Sequence, residues 1–204
     1  MIFKSIGISR HRLGTDGEGI RTLVGAYGCE LRCKYCLNPH SWNGECEAEE
    51  FTVEELYERL KVDNLYFLAT GGGITFGGGE PLLYAEFINE FVEYIGHKWN
   101  IALETSLNVP TSALEKVIGS VDKYVVDIKS MDEAIYTVYT GKSNRRVWEN
   151  LALLRSRVSP EAIMVRVPII PNYADEEAVA LAVERLKVLG IHDMDVFAYS
   201  VPKA

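Results

Sequence analysis

The sequence predicts an α/β fold, a partial and open (β/α)6 TIM-like barrel on a parallel sheet. Three observations lead there. Short β-rich runs alternate with segments of helical periodicity, the pattern of βα units that pair as parallel strands. Six such units fit in 204 residues, whereas a closed eight-unit barrel typically takes about 250. The residues able to carry chemistry also cluster at the C-terminal ends of the strand runs, where parallel α/β barrels build their sites.

The strand runs, in order, are 22–27, 74–76, 101–104, 123–127, 162–167 and 195–199. A cysteine-rich loop follows the first. Gly77-Gly78-Gly79-Glu80-Pro81 follows the second, Glu104-Thr105 ends the third, and Asp127-Ile128-Lys129 ends the fourth. Arg166 lies on the fifth and Tyr199 closes the sixth. Between them, Val53, Leu56, Tyr57 and Leu60 fall at helical spacing, as do Trp148, Leu151 and Leu154, which read as core. The last helix, through Val179, Ala182, Val183, Leu186 and Leu189, has an Asp175 N-cap signal and Gly190 just past its end.

Composition points to one domain over 1–204. The chain is 48% hydrophobic, enough for one sizeable core, and no Pro/Ser-rich linker or charge run divides it. A net charge of −8 and the lack of a basic stripe with interleaved aromatics give no reason to expect nucleic acid. No run approaches the ~18 apolar residues of a membrane span, and the start lacks a signal-peptide core, so no membrane partner and a cytoplasmic location are expected.

Cys29, Cys33 and Cys36 carry the strongest chemical signal. Their spacing of three residues then two leaves a cubane iron–sulfur cluster one ligand short. Four thiolates complete a cluster for electron transfer; three leave one iron free to bind and activate a small molecule. The alternative is a closed zinc site with His40 as fourth ligand. Gly77–Gly79 by itself reads as a bend, and a phosphate loop is disfavoured because no Gly-Lys-Ser/Thr follows. Glu104, Asp127 and Lys129 in isolation would read as a solvated rim or an ion-pair network. At strand ends they suit a ligand bearing both signs of charge.

The run Cys-x3-Cys-x2-Cys with Tyr35 before its last cysteine resembles the signature of radical S-adenosylmethionine (SAM) enzymes. Asp16-Gly17-Glu18-Gly19-Ile20-Arg21-Thr22, with Gly28-Cys29-x-Leu31-Arg32-Cys33-x-x-Cys36-x-Asn38-Pro39, resembles the narrower group of glycyl-radical-enzyme activases. Thr140-Gly141-Lys142-Ser143-Asn144 and Arg166-Val167-Pro168 extend the likeness from Asp16 to Tyr199. The resemblance implies the same six-unit partial barrel, as a radical SAM core. It also implies a [4Fe-4S] cluster on Cys29, Cys33 and Cys36, with SAM at the open iron and Tyr35 and Asn38 among the cofactor contacts. Gly78, Gly79 and Glu80 match the Gly-Gly-Glu-Pro motif that binds the methionine amino group of SAM, and Asp127 and Lys129 match an activase Asp-x-Lys motif. Glu104-Thr105 matches an acidic-Thr pair that helps hold a monovalent cation, here near Glu104 and Asp127, although the best-known relative has Asp where this chain has Glu104. Arg166 is expected to contact a carboxylate or ribose.

The activity so implied is reductive cleavage of SAM and abstraction of a glycine Cα hydrogen, installing a glycyl radical on a partner enzyme. A flavodoxin- or ferredoxin-like protein would donate the electron, and no catalytic side chain beyond the cluster and SAM is needed. Substitutions at Lys129 and Gly79 are expected to weaken SAM binding and spare the cluster. Two departures stand out. Phe197-Ala198-Tyr199-Ser200 replaces the Leu-Pro-Tyr-His common in activases, removing a histidine contact. The end at Ala204, where relatives usually continue, gives an expectation of an open mouth that favours a peptide. With only Cys46 between Cys36 and Gly77, one cluster is expected. The rival readings are another small radical SAM enzyme, acting on a small molecule or peptide, and a non-catalytic metal-stabilised binding module.

Overall fold

The strands are β1 (Phe3–Leu13), β2 (Ile20–Ala26), β3 (Glu49–Phe51), β4 (Gly73–Gly78), β5 (Asn100–Thr105), β6 (Lys123–Asp127), β7 (Ile163–Ile169) and β8 (Met194–Ala198). The helices are α1 (His40–Asn43), α2 (Val53–Leu60), α3 (Asn64–Thr70), α4 (Ala85–Ile95), α5 (Thr111–Glu115), α6 (Glu133–Thr140), α7 (Arg145–Arg157) and α8 (Glu176–Val188). This computed structural model describes residues 1–200, so the mouth expected from the end at Ala204 lies outside the described residues.

The sheet order is β3-β1-β2-β4-β5-β6-β7-β8. Six strands, β2 and β4 to β8, are successive parallel neighbours and correspond to the six expected runs. β3 and β8 are opposite edges, so the barrel is open. The sequence reading missed β1 and β3, which extend the sheet antiparallel beyond β2. β1 is broken by two register shifts, which blurs its alternation. β3 is three residues, two of them glutamates, a short charged edge that strand propensity does not reveal.

Local signals explain the helices. Thr52 and Glu55 form a reciprocal capping box at α2, with Oγ1 accepting from the Glu55 N–H at 3.2 Å and Oε2 from the Thr52 N–H at 2.8 Å. Asp175 Oδ1 accepts from the Ala178 N–H at 2.9 Å to start α8, and Gly190 follows the helix at φ +73°.

Strand alternation then separates two faces. Ile101 and Leu103 of β5, Tyr124 and Val126 of β6, and Val165 and Val167 of β7 belong to the buried core that the helices cover. Phe3 of β1 joins that core against Phe76 and Phe87, with ring centroids 5.6 and 5.4 Å away. Glu104, Asp127 and Arg166 alternate with these residues and therefore lie on the concave face. Asp127 and Arg166 are direct register partners there.

Candidate functional site

The cysteine loop follows β2 and meets the end of α6. Its backbone is tied to the end of α6, with Arg32 N–H donating to Thr140 O at 2.8 Å and Lys34 N–H to Tyr139 O at 3.1 Å. At its start, Gly28 N–H donates to Ser41 O at 2.6 Å. Arg32 Nη1 donates to the carbonyl of Cys29 at 2.6 Å while its guanidinium lies 4.5 Å over the Trp42 ring. Main-chain and charge-assisted bonds thus fix the loop on both sides of Cys33.

The turn after β4 is built against this loop. Gly79 N–H donates to Ala26 O at 3.0 Å, Glu80 N–H to Gly28 O at 2.8 Å, and Asn38 Nδ2 to Gly78 O at 3.3 Å. Gly78 has φ +86°, a left-handed conformation that favours glycine. A Cβ on Gly79 would stand 2.2 Å from Gly28 O and 2.6 Å from Ala26 O. Backbone packing therefore already demands glycine there, which corrects the expectation that a Gly79 substitution spares the cluster. Gly79→Ala is expected to displace the cysteine loop and to lower iron retention, measured by iron content after anaerobic reconstitution, together with SAM affinity.

Glu80 is fully buried. Its Oε1 accepts from Thr105 Oγ1 at 2.8 Å and Leu82 N–H at 3.2 Å, its Oε2 from Ser106 Oγ at 2.7 Å and Ser106 N–H at 3.0 Å. Burial raises its pKa against the pull of these donors. The carboxylate binds the β4 turn to the end of β5, a task the sequence reading did not assign to it. Ser106 was missed altogether.

The concave face is a charge network. Arg166 Nη1 reaches across β6 to Glu104 Oε1 at 2.9 Å, and its Nη2 donates to the carbonyl of Thr15. Arg12 grips the buried carboxylate of Asp16 through two bonds of 2.6 Å. Burial would raise the Asp16 pKa, but the Arg12 bond and the Arg12 and Arg166 charges hold it below the usual carboxylate range. Lys129 Nζ sits 3.1 Å from Asp127 Oδ2, with its side chain 16% exposed. Burial works against that ammonium, yet Asp127 and Cys33 outweigh it and raise its pKa. Arg166, expected to face a ligand, is thus engaged by Glu104. Asp16 and Arg12, which no spacing rule pointed to, complete the network.

Aromatic residues wall the loop on the third side. Tyr35, Tyr139 and Tyr173 meet edge to face at centroid distances of 5.0–6.1 Å, and Cys33 packs against the same cluster. Tyr199 donates its hydroxyl to Tyr35 O at 2.6 Å, and Asn172 Nδ2 donates to Tyr35 Oη at 3.2 Å. Ser200, where activases commonly have histidine, is exposed.

These residues fit an iron–sulfur cluster. The donor set is three soft thiols on one fixed loop, and two buried donors against that loop, Ser41 Oγ and Trp42 Nε1, have no hydrogen-bond partner among the described residues. Burial, aided by the charge of Glu80, pushes the Cys29 thiol up to about 12, and burial raises Cys33 as well against the pull of Lys129. Thiols held so high are poor nucleophiles, whereas metal ligation displaces their protons. Among the described residues no three Cys, His, Asp or Glu side chains converge on a point that would hold a single ion. A cubane asks for less convergence, since its three thiolates bind three different irons. Surface hollows of about 550 Å³ along α8 and about 410 Å³ beside Met1 and Leu83 lie away from the concave charge network.

Known proteins agree with this geometry. The family model of the radical SAM superfamily matches residues 23–184. The chain is 32% identical to a pyruvate formate-lyase-activating enzyme of Clostridium pasteurianum over 201 residues, covering 90% of this chain and 80% of that one. It is 29% identical to the indoleacetate decarboxylase activating enzyme of Tractidigestivibacter scatoligenes, covering 87% and 75% of the two chains. A crystal structure of a domain of pyruvate-formate lyase-activating enzyme from Bacteroides vulgatus superimposes with a TM-score of 0.55 at 27% identity, covering 65% of this chain and 86% of that one. Family membership implies a [4Fe-4S] cluster and SAM, and no helix among the described residues is long and apolar enough to cross a membrane. The chain belongs to the radical SAM superfamily and is an oxidoreductase-type enzyme similar to that superfamily's activating enzymes.

Proposed function

We propose that this chain is a single-domain activase that installs a glycyl radical on a partner enzyme. Cys29, Cys33 and Cys36 would hold the cluster, and the Gly78–Glu80 turn with the charged concave face would hold SAM. When bound, the two supply one-electron cleavage of SAM and removal of a glycine Cα hydrogen atom. Glycine suits the role because a missing side chain permits close approach. The chain's own residues position and shield. Asn38 and the Gly78–Glu80 backbone set the loop against the turn, Lys129 offers a cation to the SAM carboxylate, and the tyrosine wall with Tyr35 excludes water. The carrying observation is the direct bonding of the cysteine loop to the Gly78–Glu80 turn, in a chain about 30% identical to activating enzymes. A monovalent cation beside Glu104 and Asp127 has less support, because Arg166 and Lys129 already pair with those carboxylates.

The test is anaerobic reconstitution, reduction with dithionite and detection of 5′-deoxyadenosine, followed by electron paramagnetic resonance of a co-encoded glycyl radical enzyme. A glycyl signal supports the proposal. SAM cleavage with turnover of a small metabolite and no such signal would favour the small-molecule reading. Lys129→Ala is expected to weaken SAM binding about 10–100-fold by calorimetry with iron content unchanged, the loss of one charge-assisted contact. Unchanged affinity would remove Lys129 from the pocket.

A further inference from the structure

One turn of the core is strained, and it is the turn that holds Glu80. Among the described residues, four that are not glycine have a left-handed φ: His11, His97, Leu107 and Asn172. Three of them are exposed, whereas Leu107, at φ +56°, is fully buried just after β5. At that φ the leucine Cβ crowds the following carbonyl, and such strain persists only where the surroundings over-determine the conformation. Here they do. Asn150 of α7, itself fully buried, divides its Nδ2 group between Leu107 O and Val109 O at 2.8 Å each. Asn108 Nδ2 donates to Tyr136 Oη of α6 at 3.0 Å and to Ser143 O at 2.7 Å. The grip has a cost of its own, since Asn150 Oδ1 is buried with no hydrogen-bond partner among the described residues.

The two halves of the turn have different anchors. Thr105 and Ser106 supply three of the four donors to the Glu80 carboxylate, while Asn108 and Val109 are pinned to α6 and α7. With the second half fixed, rotating Leu107 to an ordinary φ would swing Thr105 and Ser106 off Glu80. We infer that Asn150 is a positioning residue for SAM, an inference that rests on the proposed function. By holding Leu107 at its left-handed φ, it keeps Ser106 on Glu80 and the Gly78–Glu80 turn seated on the cysteine loop. Asn150 lies on α7 and reaches the site only through the backbone of this turn.

The experiment is a double-mutant cycle between Asn150 and Leu107, read in two ways. SAM affinity is measured by calorimetry on the anaerobically reconstituted chain and referred to its iron content, and Tm is measured on the metal-free protein. Asn150→Leu, which keeps the volume but removes both donors, should weaken SAM binding about tenfold and lower Tm. Adding Leu107→Gly should restore most of that affinity, because glycine adopts the left-handed φ without the clamp. The same addition deletes a buried side chain, so Tm should fall further. Affinity and Tm thus move in opposite directions, whereas a merely structural role would lower both. Should Asn150→Leu fail to fold, Asn150→Ser decides: its hydroxyl serves one carbonyl of the two, so a loss of about threefold is expected, again restored by Leu107→Gly. Unchanged affinity in the Asn150 variant, or a double variant that binds SAM no better than the Asn150 variant alone, would overturn the inference. No SAM binding by the reconstituted wild type would instead overturn the proposed function, so the two failures are distinguishable.

Discussion

Cys33→Ala is expected to lower iron from about four atoms per chain to near none after anaerobic reconstitution, because two thiolates do not retain a cubane. SAM cleavage should fall with it. The fold should survive, since the loop around Cys33 is held by the main-chain bonds of Arg32 and Lys34 to α6 rather than by the thiol. Thermal unfolding of the metal-free variant and metal-free wild type, followed by circular dichroism, should therefore agree within a few degrees. Cys46→Ala is the control: Cys46 Sγ donates to the carbonyl of His40 at 3.2 Å, outside the three-cysteine run, and its loss should leave iron content intact. Stoichiometric zinc with no iron–sulfur absorption in anaerobically purified wild type would sink the catalytic reading and favour the binding module.

Glu80→Ala should show the largest loss of stability. It strands the hydroxyls of Thr105 and Ser106 and the N–H groups of Leu82 and Ser106 in a fully buried position. With a buried unsatisfied donor costing about 1–3 kcal/mol, and part of the loss recovered by relaxation, about 3–5 kcal/mol is expected. For a chain of this size that is a fall in Tm of roughly 6–20 °C. Glu80→Gln keeps the shape but turns an NH2 group toward two of the donors, so it should lie between wild type and alanine. If Glu80 served only a ligand, both variants would melt like wild type in the absence of SAM; melting curves of the metal-free proteins decide the matter.

Much of the architecture was legible because the parallel strands carry their own pattern. The run 123–127 coincides with β6, whose residues Tyr124 and Val126 face the core while Asp127 faces away. Asp175 announced α8 through a bond to a residue three positions on. β1 was not legible, because its bulges break the period and its meaning lies in pairing with β2 and β3. The site divides in the same way. The three thiols are named as ligands from a spacing that spans eight residues, whereas the Glu80 partner Thr105 is 25 residues away and the Glu104 partner Arg166 is 62 away.

The sequence by itself determined which atoms can ligate iron and which strand ends carry charge, because cysteine spacing and strand period are properties of neighbouring residues. Only the tertiary structure decided which charges are already engaged. Side by side, β5, β6 and β7 bring Arg166 within reach of Glu104, and the β4 turn closing on β5 gives the Glu80 carboxylate to Thr105 and Ser106. Those pairings depend on strand order and register, and a buried ionised or polar group takes whichever partner that packing brings within hydrogen-bond distance.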